Sequence, residues 1–263
     1  MDALTLISCD CHAGASPETY REYLEADLRA PYDASIADRA GLVRRAAEVI
    51  GGGPMSDDGD DRRSALTGRW TAERRLAELD RDRIAAEVIF PQPAGRAAPP
   101  FYNFFGHPWD PSRPELAAAG CRAYNRWLAD FCSAHPTRMA GVALINVDDI
   151  DVTVQEIRDA REAGLWGGVL LPSSTGDHPF YHHPRYEPLW ATCQELDMPV
   201  HTHSGWSPDY GDSPAATAMF VNEVSWYANR AFTCFVWAGV FERYPRLKLV
   251  MTEQGSRWIL DKL

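Results

Sequence analysis

The sequence predicts an α/β fold in which parallel strands form a barrel with helices packed outside. Two observations carry this. Short apolar runs alternate with helix-like stretches along the chain and no hairpin signals interrupt them, as parallel strands joined by crossover helices require. The polar residues capable of chemistry gather at the C-terminal ends of those runs, where barrel enzymes keep their sites, and no glycine-rich dinucleotide fingerprint follows the first strand.

Residues 4–9 read as the first strand, running into Asp10-Cys11-His12. Residues 17–30 and 36–50 have helical spacing, and the glycine, proline and acidic residues of 51–69 predict a loop or lid. Leu76 and Leu79 mark one face of a helix over 71–82, followed by a strand over 84–90 that Pro91 closes. The longest helix covers 114–134, with Leu116, Tyr124, Leu128 and Phe131 on one side and His135-Pro136 as its stop. Residues 139–145 form the third strand. Asp148 or Asp149 caps the next helix, which Gly164 ends before a buried strand at 168–171. A helix over 188–196 leads into the strand 198–203, and one over about 221–242 leads into 248–253. Six strand units are thus countable in one domain over 1–263. The barrel is expected to be truncated after its sixth strand, with strands one and six flanking a gap.

Composition narrows the partners. The chain has 263 residues, 45% of them hydrophobic, enough for a sizeable core, and no apolar run nears the ~20 residues of a membrane span. The first residues lack the pattern of a secretory signal, so a cytoplasmic location is expected. Its formal charge of −11 disfavours nucleic acid and anionic membranes, leaving a small molecule as the expected partner and a homodimer open. Six dispersed cysteines predict buried thiols without a disulfide framework.

Two pairs of residues carry the chemistry. Asp10 and His12 sit two apart at a strand end, so both side chains can point to one face and reach a metal. Taken alone, Asp10 could equally cap a loop beside a solvated His12. His201 and His203 repeat the spacing on another strand, and two such pairs on parallel strands are costly to desolvate without a shared purpose. Metal binding is therefore the favoured reading. Glu253, ending the sixth strand, could act as acid or base, bind substrate, or simply pair with Arg257. Trp206 and Tyr210 are placed to wall the site, Arg96 could hold a substrate carboxylate, and His182-His183 read as a solvated loop. Cys9 and Cys11 flank Asp10 and read as packing thiols.

These residues make the chain resemble the amidohydrolase superfamily, specifically the amidohydrolase-related group that includes aminocarboxymuconate-semialdehyde and resorcylate-type decarboxylases. The carriers are Ile7-Ser-Cys-Asp-Cys-His12, Met139 to Ile145, Gly167 to Leu171, Pro199-Val-His-Thr-His-Ser-Gly205, and Gly239 to Pro245 with Glu253-Gln-Gly255. The resemblance implies a TIM-type (β/α)8 barrel with a divalent metal, commonly zinc and sometimes manganese, at its C-terminal mouth. Asp10 and His12 match the first-strand ligands and His203 the fifth-strand ligand, which leaves His201 as a catalytic residue that orients substrate or a ligand. Two departures stand out. Glu253 occupies the place of a catalytic histidine, and an aspartate ligand from an eighth strand has no counterpart, since Asp261 lies in the segment just after the sixth. The implied activity is a metal-dependent carboxy-lyase acting on an unsaturated or aromatic acid, with Glu253 handling a proton. The alternatives are a metal-dependent hydrolase of a lactone, amide or C–C bond, and a non-catalytic fragment or binding module.

Overall fold

A computed structural model of the chain describes residues 4–36, 71–93, 97–102, 113, 115–211, 213 and 215–260. The expected lid at 51–69, nearly all of the helix at 36–50, Arg96 and Asp261 lie outside the described residues. Six strands, β1 (Leu6–Ala13), β2 (Ile84–Pro91), β3 (Met139–Leu144), β4 (Gly168–Leu170), β5 (Val200–His203) and β6 (Leu249–Thr252), form one sheet in sequential order, every pairing parallel. β1 and β6 do not pair with each other and form the two edges, as the sequence predicts. β3, in the middle, is buried throughout, whereas Leu6 and Ile7 on β1 are 53% and 56% exposed.

The helices follow their apolar stripes. α1 (Pro17–Tyr23) starts on Ser16, whose hydroxyl accepts from the Thr19 amide. It is shorter than the predicted 17–30. Leu24 turns to an extended conformation (φ −81°, ψ 147°), and the Tyr23 carbonyl takes its hydrogen bond from Arg126 Nη1 instead of from a further helical turn. A 3-10 turn at Ala26–Leu28 and helical residues at 29–36 follow. α2 (Ala72–Asp82) buries Leu76 and Leu79 and stops at Arg83, which is left-handed at φ 58°. α3 (Glu115–Ser133) buries a broad stripe that includes Leu116, Tyr124, Leu128 and Phe131.

α4 (Ile150–Glu162) is capped by Asp149, whose carboxylate accepts from the amides of Asp151 and Val152. α5 (Glu187–Glu195) leads into β5. The helix predicted over 221–242 is two: α6 (Ala216–Trp237) and α7 (Val240–Arg243), separated at Gly239, whose φ of 64° suits glycine and ends a helical run.

Two buried polar contacts tie helices to strand ends. Asn125 on α3 donates Nδ2 to the Leu144 carbonyl (2.9 Å) and accepts from the Leu144 amide (2.8 Å), so it closes the ladder at the end of β3. Arg75 on α2 pairs through Nε with Glu87 of β2, and its Nη1 donates to the His12 carbonyl at 2.9 Å. Glu87 is 1% exposed and Arg75 7%. A buried carboxylate stripped of its partner is strongly destabilising, whereas replacing both charges by apolar groups is often near neutral. We therefore expect Arg75→Met to cost roughly 3–5 kcal/mol in urea unfolding, and Arg75→Met with Glu87→Leu to recover most of it. A double variant as unstable as the single one would show that the His12 contact, not the ion pair, carries the effect.

Candidate metal centre

β1 carries the first two polar groups to the end of the sheet. Ser8 pairs with Glu87 and Cys11 with Ile89, so three steps on β1 match two on β2 and a bulge falls at Cys9-Asp10. Bulges re-aim side chains. Simple alternation, the basis of the sequence reading, therefore fails locally, yet Asp10 and His12 still meet: His12 Nε2 lies 3.5 Å from Asp10 Oδ1. From β5, His203 brings Nε2 to 3.4 Å from the same oxygen. One ligand atom from each of Asp10, His12 and His203 lies within 4.8 Å of the others.

Both imidazoles are turned by backbone carbonyls. His12 Nδ1 is 2.8 Å from the Pro91 carbonyl and His203 Nδ1 2.7 Å from that of Ser204. A carbonyl oxygen only accepts, so Nδ1 of each ring carries the proton and Nε2 of a neutral ring presents a lone pair. Burial pushes the His12 pKa down and so favours the neutral ring; the Pro91 carbonyl opposes this and the nearby His203 reinforces it. Two lone pairs and a carboxylate oxygen thus face one point. That donor set, with each histidine oriented through its other nitrogen, fits a divalent cation of the zinc or manganese type.

The remaining predicted residues divide. Phe90, at the end of β2, packs its ring 5.1 Å from that of His203, 6.2 Å from His12 and 5.3 Å from His201. His201 lies inside the sheet as expected, but its Nε2 meets the Gly167 carbonyl at 2.8 Å and it does not line the cavity beside the three ligand atoms. Its Nδ1 is buried without a partner among the described residues. Gly168, at φ 120°, makes room for that ring: a Cβ there would lie 2.7 Å from His201 Cδ2 and 2.3 Å from the Pro199 carbonyl oxygen. Glu253 follows β6 in a left-handed conformation (φ 56°), its Oε2 3.8 Å from His203 Nδ1 and its side chain 54% exposed. Its carbonyl accepts from the Ser204 and Ser225 hydroxyls.

Trp206 lines the cavity; Tyr210 does not, and hydrogen-bonds the Glu223 carboxylate. His183 accepts from the Arg185 amide and caps a 3-10 turn. Cys11 donates to the Ser8 hydroxyl, and Cys9 is exposed rather than packed; all six cysteines are free.

Sequence reasoning passed over Phe90, Asn125, Arg75 and Glu87. For the ion pair a signal existed: Glu87 is the one acid in the apolar run Ile84-Ala-Ala-Glu-Val-Ile-Phe90, and a charge on a buried strand needs a partner.

The amidohydrolase family model matches residues 9–262. Decarboxylase orsB of Emericella nidulans is 28% identical over 201 residues, covering 72% of this chain and 55% of that protein. A gamma-resorcylate decarboxylase of Rhodococcus jostii is 30% identical over 158 residues, 54% of this chain and 47% of that protein. The chain thus spans about half the length of the curated relatives it matches. Among solved structures, an amidohydrolase from Mycobacterium avium subsp. paratuberculosis superposes with a TM-score of 0.65 at 17% identity, over 99% of this chain and 76% of that one. A 5-carboxyvanillate decarboxylase from Novosphingobium aromaticivorans, with bound manganese and 3-methoxy-4-hydroxy-5-nitrobenzoic acid, gives 0.63 at 22% identity, over 95% and 66%. These likenesses establish the fold.

Burial also lowers the His201 pKa from 6.5; the Gly167 carbonyl opposes the shift and His203 adds to it. A histidine with a depressed folded-state pKa takes up a proton on unfolding. Its stabilisation is complete above pH 6.5 and is lost as pH falls through the folded-state value. In chelator, the urea midpoint is expected to fall between pH 7.5 and pH 5, roughly the range in which histidine titrates. His201→Gln, which keeps a donor for Gly167, should flatten that fall; an equal slope in both proteins would refute the assignment to His201.

Proposed function

The chain belongs to the amidohydrolase family, and from that premise we propose that it is a metal-dependent carboxy-lyase acting on an aromatic acid. The observation that carries the reading is the convergence of Asp10, His12 and His203 beside a cavity walled by Phe90, Leu144, Leu171 and Trp206. Decarboxylase relatives support the choice of reaction. In the proposal these three residues hold the metal, zinc by the nitrogen and oxygen donor set, with manganese the alternative that one structural neighbour contains. Bound there, the cation supplies a Lewis acid for a substrate oxygen.

The rest falls to the chain's own groups. Decarboxylation breaks the bond between the ring and its carboxyl carbon, releases carbon dioxide, and leaves the ring carbon to take one proton. Glu253, beside His203 and open to solvent, is assigned the transfer of that proton. Phe90 and Trp206 exclude water and give the arene a flat surface to pack on. His201 is assigned an orienting role, exerted through Phe90 and His203. Arg96 is assigned the substrate carboxylate, whereas Tyr210, tied to Glu223 outside the cavity, is given no part in substrate binding. No helix among the described residues is long and apolar enough to cross a membrane, and the expected site of action is the cytoplasm.

A panel of aromatic acids, assayed for carbon dioxide release with zinc and with manganese, tests the reading. We expect His12→Ala and His203→Ala to lose bound metal and activity together. Glu253→Gln should keep its metal and lose on the order of a hundredfold in kcat. His201→Ala should lose turnover more than metal content. Water incorporation without carbon dioxide would replace the carboxy-lyase with the hydrolase alternative, and equal metal loss in His201→Ala and His203→Ala would contradict the division of roles.

A further inference from the structure

Asn146 stands two residues beyond the end of β3 and lines the same cavity as His12 and His203. In the strand order, β3 lies midway between β1 and β5, which carry the metal-binding set. Its surroundings are rigid. The preceding Leu144 is held at both backbone groups by Asn125, the Asn146 carbonyl accepts from the Thr153 hydroxyl, and its side-chain Oδ1 accepts from the Asp148 amide at 2.7 Å. With Oδ1 committed, the amide group is fixed, and Nδ2 has no hydrogen-bond partner among the described residues.

The neighbouring wall is largely apolar, and two of its hydroxyls are engaged elsewhere. Ser173 donates to the His203 carbonyl and Thr175 to that of His178. Pockets of this kind orient a ligand with a few fixed polar groups, and the fixed group here is a neutral donor. Asp148 also lines this part of the cavity, so a ligand's carboxylate is repelled from it and driven toward the histidines and the cation.

We infer that Asn146 is a specificity-determining residue whose Nδ2 donates to a second, uncharged oxygen on the aromatic acid, selecting phenolic, ether or ring-carbonyl substrates over bare arene carboxylates. The inference rests on the carboxy-lyase reading of the site and adds to it the far end of the substrate.

The test is binding rather than turnover. Benzoate and 2-, 3- and 4-hydroxybenzoate are titrated calorimetrically into the full chain with excess zinc or manganese ions, and the quantity read is the ratio of the best hydroxybenzoate affinity to that of benzoate. One well-placed hydrogen bond predicts a ratio of about ten in the wild type. Asn146→Ala should bring the ratio close to one. Asn146→Asp keeps an oxygen for the Asp148 amide but removes the donor, and should do the same; charge repulsion common to all four ligands cancels in the ratio. A ratio near one in the wild type, or one unchanged in the variants, overturns the inference and leaves the carboxy-lyase reading standing. A wild type that binds none of the four in the presence of metal overturns that reading and the inference with it.

Discussion

Two histidine rings and one carboxylate oxygen directed at a common point make an arrangement that repels itself until something positive occupies the centre. Each ring is committed through Nδ1 to a main-chain carbonyl, so neither can relieve the repulsion by rotating without breaking a short hydrogen bond. The arrangement also demands curvature. Neighbouring strands in a sheet are about 4.8 Å apart, so β1 and β5, four places from each other, would be separated by roughly 19 Å in a flat sheet. Their ligand atoms lie within 4.8 Å, and only a sheet rolled toward a barrel brings inward side chains together in this way.

Packing fixes that curvature where it matters. Phe90 fills the space between His12, His201 and His203, and its own strand end is covered by Pro91, whose carbonyl turns His12. Behind the sheet, Arg75 holds the His12 carbonyl while paired with Glu87, so one buried cation joins α2, β2 and the metal-binding end of β1. Gly168 serves the same end by absence: with no Cβ it lets β4 run close to His201, and the β4 and β5 ends stay in register at Leu170 and His201. The ligand set is therefore braced from several sides, with helix, strand and ring each restricting another.

Much of this is legible in the sequence. Six apolar runs gave six strands in the predicted order because burial on both faces writes a parallel strand as a continuous hydrophobic segment. The spacing of Asp10 with His12, and the position of His203 at a strand end, foretold the cluster. What stayed hidden depends on contacts distant in sequence. The break at Leu24 arises from an arginine a hundred residues away, and the bulge at Cys9-Asp10 exists only relative to β2. The direction of His201 is set by a carbonyl on the neighbouring strand's approach. Two histidines at the same spacing on one strand look equivalent in a sequence; their different partners make one a ligand candidate and the other an interior support.

On the proposed reaction, the character of the cavity bears on direction as well as binding. A carboxylate is strongly hydrated, whereas carbon dioxide is neutral and apolar, so a wall of Phe90, Leu144, Leu171 and Trp206 strips water from the reactant's charged group and accommodates the product. The same wall would strand the negative charge left on the ring as carbon dioxide departs. A cation held at Asp10, His12 and His203 would offset that charge, and delivery of a proton to the ring carbon would remove it. Glu253 suits the second task because its side chain reaches both the neighbourhood of His203 and solvent, from which it can be reprotonated between turnovers. An apolar wall, a cation and a solvent-connected acid are each insufficient for a carboxy-lyase; the curl of the sheet gathers the wall and the three ligand atoms around one small volume, and Glu253 stands outside it on the Nδ1 side of His203.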